Sequence, residues 1–424
     1  MMTSAKVSVL LTSYNHAKYL RESIESVLNQ TYKNFELIIW DDASTDDSWN
    51  IISSYTDSRI RAFSNETNQF IEYIRKAISD VAKGEYIAIH HSDDVWEVDK
   101  LEKQVAFLDA HSEIGAVFTW AQIIDDHGDN LDEDWFIQEN KSRWQWLQQF
   151  FQGENHLNHP SVLIRKICYQ EVGLYAFGLA QTADADMWMR LLLKYPIHVI
   201  QERLTKHRLV LDKSNTSGNR PDTRVRLQYE FYKLMRNYLK ITRFDDLVNI
   251  FPSAEKYYRN KETDIHFALA MALLEESTSS FAQLFGLDIL FEIISDPISS
   301  ANIKQLYEFD YQAFIALTGK YDVFSHNAVY ERDGQVATLI QTISALNQAV
   351  AERDGQIASL NQAVARLEQD MVERARQAFN LNQALAERDQ QLASVTAQLN
   401  EIFRSKAWYF IQMYRKIRSR IIGP

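Results

Sequence analysis

The feature that most constrains the fold of this 424-residue chain is a seven-residue apolar repeat in its C-terminal part. An apolar residue stands at every seventh position from Val336 to Leu399, and a second series, from Leu339 to Ile402, follows three positions later. Two such series are the seam of a coiled coil. Arginines in the second series weaken the seam but can fix its register or partner. The pattern predicts a coiled coil over residues 329–402 that joins copies of the chain or docks on another helical protein; a single solvated helix is the alternative.

The first 220 residues have a different pattern, in which short β-type runs alternate with amphipathic stretches. The first four strand-like runs begin at Val7, Phe35, Arg59 and Tyr86. This order predicts an α/β fold with a Rossmann-like, mostly parallel sheet, in which ligands bind beyond the carboxyl ends of the strands. Residues 221–328 have helical apolar faces and almost no strand signal, so they are predicted to form a small helical domain without chemistry of its own.

Composition narrows the classes of function. Hydrophobic residues make up 46% of the chain and charged residues 24%, as in ordinary globular proteins. No apolar run approaches the ~20 residues of a membrane span, and the first segment is predicted to be a strand, not a signal peptide. The single cysteine, Cys168, excludes an internal disulfide and favours a cytoplasmic location. A formal charge of −12 argues against a nucleic-acid partner.

Polar clusters follow three of the predicted strands. They are residues 12–15, Asp41 with Asp42, and residues 92–94. Asp93 and Asp94 place two carboxylates side by side, which is costly unless a cation or hydrogen-bond donors neutralise them. Mg²⁺ or Mn²⁺ is held by one or two carboxylates together with substrate phosphates. Such a pair can equally cap a following helix, but the occurrence of all three clusters at one sheet edge favours a ligand site.

Several stretches together carry a family resemblance. They are VSVLLTSYN at residues 7–15, LRESIESVLNQTY at residues 20–32, FELIIWDDASTDDS at residues 35–48, GEYIA at residues 84–88, SDDVW at residues 92–96 and DKL at residues 99–101. In this order they resemble the family-two glycosyltransferases, over roughly residues 5–220. The resemblance implies a GT-A catalytic domain at residues 1–220, which transfers a sugar from a nucleotide-diphosphate donor to an acceptor hydroxyl with inversion.

The resemblance also assigns roles to single residues. The residues predicted to bind the nucleotide sugar are Thr12, Tyr14, Asn15, Asp41, Asp42, Arg75 and Asp93. Among these, Thr12, Tyr14 and Asp42 correspond to the nucleobase pocket. Arg75 stands beside Lys76, where relatives often have an asparagine; a cation there could contact the diphosphate, and a solvated helix face is the alternative. Asp94, together with Asp93, corresponds to the ligands of a divalent cation, Mn²⁺ or Mg²⁺.

Asp184 takes the family's position for the catalytic base, which accepts the proton of the acceptor hydroxyl. An aspartate is expected to do this at neutral pH without a large pKa shift. The alternative role for Asp184 is that of a helix N-cap. Asp186 and Arg190 are predicted to orient the same helix, and His159 is predicted to be packed or hydrogen-bonded rather than catalytic.

The chain departs from the family pattern around its acidic motif. His90 and His91 precede Ser92 where many relatives have an aspartate, and Ala183 replaces an acid before the base. A histidine that many relatives place after Arg208 is not evident, and His207 is the candidate to replace it. These departures bear on metal binding more than on sugar transfer.

Residues 403–424 contain six Lys or Arg residues and no acid, interleaved with aromatic and aliphatic side chains. The composition suits a helix at an anionic membrane surface and equally an aromatic cap that packs against the coiled coil or the catalytic domain. The combined prediction is a transferase at the cytoplasmic face of a bacterial-type membrane that builds a surface polysaccharide from a UDP- or dTDP-sugar on a glycan or lipid-linked acceptor. The rival interpretations are an inactive scaffold that assembles partner enzymes through the coiled coil, and a nucleotidyltransferase, whose glycine-rich loop this chain lacks.

Overall fold

A computed structural model describes residues 5–209, 218, 220–364 and 371–421. The chain forms two compact units, one of Met1–Leu317 with Tyr414–Pro424 and one of Thr318–Met413. The first unit therefore contains both the predicted α/β segment and most of the predicted helical segment. The division of the chain at residues 220, 328 and 402 stays a prediction.

The first unit is built around an eight-stranded mixed sheet. Its strands are β1 (Val7–Ser13), β2 (Phe35–Asp41), β3 (Ile60–Ser64), β4 (Tyr86–His91), β5 (Val95–Trp96), β6 (Ala116–Ile124), β7 (Leu163–Arg165) and β8 (Ile197–Arg208). Their order is β3-β2-β1-β4-β7-β6-β8-β5. Strands β1 to β4 pair in parallel, as the sequence predicts, whereas β7 runs antiparallel to both β4 and β6. The mostly parallel, GT-A-like architecture is thus confirmed, with one antiparallel strand, β7, at its centre and another, β5, at its edge, neither of which the periodicity revealed.

Helices cover the sheet. They are α1 (Ala17–Leu28), α2 (Ser48–Ser53), α3 (Glu72–Lys76), which continues as a π-helix over Ala77–Val81, α4 (Lys100–Ala110), α5 (Arg143–Phe151), α6 (Lys166–Val172) and α7 (Ala183–Leu192). The apolar stripe of α1, from Leu20 through Ile24 to Val27, is fully buried against the sheet. The central strands are continuous apolar runs because both of their faces are covered. Because the strand interiors are apolar, the polar side chains that could bind a ligand lie at the ends of the strands.

After residue 220, the described part of this unit consists of helices joined by short turns and loops. The helices are α8 (Pro221–Leu234), α9 (Phe244–Ile250), α10 (Ile265–Glu276), α11 (Ser280–Ser295), α12 (Pro297–Tyr307) and α13 (Tyr311–Lys320), with short 3₁₀ turns at Met235–Lys240, Pro252–Tyr257 and Asn260–Glu262. Helix α10 is apolar on nearly all sides and packs against α11 in the middle of this segment. The predicted helical character is confirmed.

The second unit consists mainly of two long helices, α14 (His326–Val364) and α15, which begins at Met371 and extends to Ile421. The helices predicted from the heptads are present, but their pairing into a coiled coil stays a prediction; the seam residue Leu346 is 54% exposed in the single chain. Residues 365–370 of the predicted coiled coil and residues 422–424 of the predicted basic segment lie outside the described residues. Across the described residues, no helix combines the length and apolarity needed to cross a membrane.

Candidate active site

The three predicted polar clusters meet at one edge of the sheet. In the strand register, Thr12 of β1 lies beside His91 of β4, and Ser13 lies beside Asp41 of β2. The amide of Ser92 donates to the carbonyl of Thr12 at 3.1 Å. The parallel order of β2, β1 and β4 therefore brings the acidic motif and the Asp41-Asp42 pair to either side of the β1 loop.

Asp41 and Asn15 shape the loops at this edge. The carboxylate of Asp41 accepts hydrogen bonds from the hydroxyls of Ser13 (3.2 Å) and Ser44 (2.6 Å) and from the amide of Ser44 (3.0 Å). Asn15 adopts a left-handed backbone with φ 54°, and its Oδ1 accepts from the amide of Thr45 at 2.7 Å. Both side chains thus use their oxygens to join the loop after β1 to the loop after β2. Their contact with a nucleotide sugar stays a prediction.

Asp42 is buried, and its carboxylate bonds to the segment after β3. Its Oδ1 accepts from Asn65 Nδ2 and from the amide of Gln69, both at 2.7 Å, and its Oδ2 accepts from the amide of Phe70 at 2.9 Å. Of the other residues predicted for the nucleobase pocket, Tyr14 is 45% exposed and the Thr12 hydroxyl donates at 3.4 Å to the carbonyl of His90. If Asp42 binds a nucleobase, its carboxylate must accept a hydrogen bond from the nucleobase in addition to, or in place of, those from the amides of Gln69 and Phe70.

Asp94 is the most enclosed carboxylate of the acidic motif. It is fully buried, and its Oδ1 accepts from the amide of Arg208 at 2.8 Å and lies 3.3 Å from His207 Nδ1. Burial by itself would raise the pKa of Asp94, but His207, His91 and the Arg208 amide outweigh burial and lower that pKa to about 2. Burial and the neighbouring charge of Asp94 raise the pKa of Asp93. The two adjacent carboxylates therefore have different affinities for a proton.

The motif has the chemistry of a divalent-cation site. One ligand atom from each of His91, Asp93 and Asp94 lies within 4.8 Å of the others. Asp94 Oδ2 is buried and finds no hydrogen-bond partner among the described residues, which is a costly arrangement that a cation would relieve. The carboxylates suit Mg²⁺ or Mn²⁺, and an imidazole adds affinity for a transition metal. His207, which the sequence offered as a substitute for the family's missing histidine, lies next to Asp94.

His91 begins a chain of hydrogen bonds that leads away from the acidic motif. Its Nε2 lies 3.3 Å from His159 Nδ1, His159 Nε2 lies 2.8 Å from the hydroxyl of Tyr175, and that hydroxyl lies 3.3 Å from the hydroxyl of Tyr169. His159 is therefore hydrogen-bonded, as predicted. The charge of Asp184 contributes, after burial and the neighbouring Tyr169, to raising the pKa of Tyr175. This series of hydrogen bonds consequently leads from the acidic motif to Tyr175, which lies near enough to Asp184 to be affected by its charge.

Asp184 lies in the first turn of α7 and is half-buried. Asn155 Nδ2 donates to its Oδ2 and the amide of Ala185 donates to its Oδ1, each at 2.8 Å. The N-cap of α7 is Thr182, so the alternative role of Asp184 as that N-cap is wrong. The expectation of a nearly unshifted carboxyl is also wrong, because burial raises its pKa to about 6 against these two hydrogen bonds.

Asp186 and Arg190 orient α7, as predicted. The two side chains form an ion pair with nitrogen–oxygen distances of 2.9 and 2.8 Å. The guanidinium also donates to the carbonyls of Gly173 (2.9 Å) and Leu174 (3.0 Å), beyond the end of α6. Gly173 combines a positive φ of 86° with a ψ of 161°, a backbone conformation that glycine adopts and other residues do not, and this bend presents the carbonyls to Arg190.

Two arginines, Arg75 and Arg208, make contacts between segments that the sequence did not predict. Arg75 pairs with Glu72 at 3.3 Å and donates to the carbonyl of Tyr175, so it joins α3 to the loop before α7, and its contact with a diphosphate stays a prediction. Arg208, almost fully buried, donates to the carbonyl of Asp93 at 2.8 Å and to Glu22 of α1 at 2.7 Å. Sequence reasoning missed this role of Arg208, since an arginine at a strand end carries no signal for a contact 115 residues away.

Comparison with known proteins gives a family match. The model described as glycosyl transferase family 2 matches residues 8–166. An uncharacterized glycosyltransferase of Methanocaldococcus jannaschii is 32% identical over 213 residues, which cover 49% of this chain and 72% of that protein. The UDP-Glc:alpha-D-GlcNAc-diphosphoundecaprenol beta-1,3-glucosyltransferase WfaP of Escherichia coli is 42% identical over 103 residues, which cover 24% of this chain and 41% of WfaP.

A comparison of structures gives a similarity at lower identity. The crystal structure of S. aureus TarS residues 1–349 aligns with a TM-score of 0.47 and 17% identity, over 74% of this chain and 91% of that one. The chain spans less than half of the length of WfaP, so the similarity to that protein concerns only part of it.

Proposed function

Because this chain belongs to glycosyl transferase family 2, we propose that it transfers a sugar from a nucleotide-diphosphate donor to an acceptor hydroxyl, with inversion at the anomeric carbon. The observation that best supports this proposal is the buried Asp94 oxygen that has no hydrogen-bond partner among the described residues and lies 3.7 Å from His91 Nδ1, in a His-Asp-Asp cluster at the ligand-binding edge of the sheet. A scaffold without catalysis has no need for so costly a group.

Asp184 is the proposed base. In an inverting transfer the acceptor oxygen bonds to the anomeric carbon, the bond from that carbon to the diphosphate oxygen breaks, and the hydroxyl proton passes to the base. With a pKa of about 6, Asp184 is ionised at pH 7 and is a stronger base than an exposed aspartate. Its hydrogen bond from Asn155 keeps one oxygen oriented and leaves acceptor capacity for the proton.

His91, Asp93 and Asp94 are the proposed ligands of a divalent cation. When bound, such a cation would offset the charge that grows on the departing diphosphate. The protein's own contribution is to fix the ligands: the amide and guanidinium of Arg208 bond to Asp94 and to the carbonyl of Asp93. These bonds orient the motif through the protein's own backbone and side chains.

The proposed donor is a UDP-sugar, with a dTDP-sugar as the alternative, and the proposed acceptor is a lipid-linked glycan. The name of WfaP specifies UDP-Glc and a diphosphoundecaprenol-linked sugar, and its similarity to this chain supports the same substrate classes here. A lipid-linked acceptor fits the basic segment at residues 403–424, for which peripheral contact with the cytoplasmic face of a membrane is proposed.

Deleting residues 403–424 should release the protein from anionic vesicles, and unchanged vesicle binding would contradict the proposed membrane contact.

The first experiment measures binding and hydrolysis of UDP-, dTDP- and GDP-sugars by the purified chain, with and without Mn²⁺. Hydrolysis of one donor class is expected in the wild type. Asp94→Asn should abolish it and weaken Mn²⁺ binding measured by electron paramagnetic resonance. Asp109→Asn is the matched control, because Asp109 is an exposed carboxylate that bonds to Lys6 on the protein surface.

The acceptor step is tested separately with a polyprenyl-diphosphate-linked sugar. Asp184→Asn should still bind the donor but lose transfer by roughly 100-fold or more, the usual contribution of a general base. If no nucleotide binds under any condition, the transferase proposal fails and the scaffold interpretation replaces it.

A further inference from the structure

Glu230 of α8 makes an unusual set of contacts with the segment that precedes α7. Its side chain is 1% exposed. Its carboxylate accepts hydrogen bonds from the backbone amides of Ala180 (2.8 Å), Gln181 (2.8 Å) and Thr182 (2.9 Å), and from the hydroxyl of Thr182 (3.0 Å). One buried carboxylate from the helical segment thus bonds to three consecutive amides immediately before the helix that carries Asp184.

These contacts fix the start of α7 for three physical reasons. Three consecutive amides that point to one place form a nest that favours an anion. The nest lies at the N-terminal end of α7, where the helix dipole also stabilises negative charge. Four donors satisfy both oxygens of the Glu230 carboxylate, and a buried charge that lost them would be strongly destabilising. The backbone of residues 180–182 therefore has one favoured position relative to α8.

The same segment contacts the catalytic domain at two further points. Asn237 Nδ2 donates to Asp186 Oδ1 at 2.8 Å, on the side of the carboxylate away from Arg190. The hydroxyl of Tyr238 donates to the carbonyl of Leu147 in α5 at 2.9 Å. Glu230, Asn237 and Tyr238 are all buried. These contacts lie inside one compact unit, so the segment after residue 220 is packed on α7 and α5.

We propose that the helical segment positions the catalytic helix, with Glu230 and Asn237 as positioning residues for Asp184. This inference rests on the proposed role of Asp184 as the base. Glu230 sets where the backbone enters α7, and Asn237 fixes Asp186 one turn further along the same helix. The segment that the sequence predicted to have no chemistry of its own therefore acts on the reaction through the orientation of α7.

The proposal differs from a purely structural role in its effect on the pH profile. Burial is the main cause of the raised pKa of Asp184, and the charge of Glu230 from α8 adds to it, while the neutral Asn155 donates to Asp184 from the stretch after α5. The charge of Asp184 in turn raises the pKa of Tyr175, after burial and Tyr169. The negative charge of Glu230 opposes the ionised form of Asp184. Removing that charge should lower the pH at which Asp184 loses its proton.

The test is Glu230→Gln in the full chain. The amide cannot accept all four hydrogen bonds, so the amides before α7 lose part of their partner. We expect kcat to fall roughly 10- to 100-fold through misplacement of Asp184, with donor affinity unchanged within about twofold, and the acidic limb of kcat to move to lower pH. Asp264→Ala is the control: Asp264 caps α10 by accepting from the amide of Phe267 at 2.8 Å, in the same segment, and alanine removes that cap. This control should lower the melting temperature without changing kcat or the pH dependence of kcat.

Other results would contradict either the positioning role of Glu230 or the role of Asp184 as the base. If Glu230→Gln lowers only the melting temperature, as is expected of Asp264→Ala, the positioning role is wrong and Glu230 is structural. If Glu230→Gln does not fold, Asn237→Ala decides, and an unchanged kcat in that variant overturns the proposal. Asp184→Asn is measured in parallel: full transfer by it would remove the base assignment itself, whereas its inactivity beside a normal Glu230→Gln would remove only this inference.

Discussion

At the scale of single residues, the central feature is a carboxylate whose pKa is matched to its proposed task. Burial raises the pKa of Asp184 to about 6, while the amide of Ala185 and the side chain of Asn155 act in the opposite direction. A general base is most effective when its pKa lies near the working pH. The base must be ionised to accept a proton, so activity is expected to fall as the pH drops through about 6.

Asn155→Ala tests which contact sets that pKa. The Asn155 side chain stabilises the ionised form of Asp184 by donating to it at 2.8 Å, so its loss should raise the pKa of Asp184 and move the acidic limb of kcat towards neutral pH. This shift is opposite in sign to the one expected for Glu230→Gln. The control is Asn50→Ala, which removes an asparagine–aspartate hydrogen bond of the same length at the exposed residue Asp47. If the acidic limb of the pH profile of kcat is unchanged in Asn155→Ala, Asn155 does not affect the pKa of Asp184.

At the scale of elements, α7 depends on a buried ion pair. Arg190 and Asp186 are 9% and 7% exposed, and Arg190 also bonds to the carbonyls that follow α6. Arg190→Leu leaves Asp186 buried with only Asn237 as partner, so it should lower the free energy of unfolding by about 3 kcal/mol. Urea unfolding followed by circular dichroism measures this loss.

Arg226→Leu is the control for that measurement. Arg226 pairs with Asp222 on the exposed side of α8 at 3.6 Å, and an exposed pair of this kind contributes less than about 1 kcal/mol. Equal losses in Arg190→Leu and Arg226→Leu would mean that the buried pair has no special role in holding α7.

The elements themselves were largely predictable, whereas contacts between distant segments were not. Apolar runs and helical periodicity located β1 to β4 and the helices between them, and the parallel order placed Asp41, Asp42, Asp93 and Asp94 at one edge. Glu230 could not be predicted in the same way. It is one acid on an amphipathic helix, and its partners are backbone amides 48 to 50 positions earlier, which no side-chain pattern marks. The pKa of Asp184 was likewise beyond sequence reasoning, because it depends on how deeply α7 is packed.

At the scale of the whole molecule, the predicted coiled coil concerns the long helices α14 and α15. The heptad pattern places Leu346 on a seam, yet Leu346 is 54% exposed in the single chain. An exposed seam gains stability only when another helix covers it. Self-association through α14 would also bring several copies of the α/β segment together.

Leu346→Asp tests this self-association in the full chain. The wild type is expected to sediment as an oligomer in analytical ultracentrifugation, and the aspartate should shift it towards the monomer because it introduces a charge at a seam position. Gln348→Asp is the matched control, since Gln348 is exposed, lies two positions away off the seam and receives the same residue. Dissociation in both variants would indicate a general loss of helix stability. A wild type that is monomeric at every concentration would contradict self-association and leave a solvated helix or a different helical partner as the role of this segment.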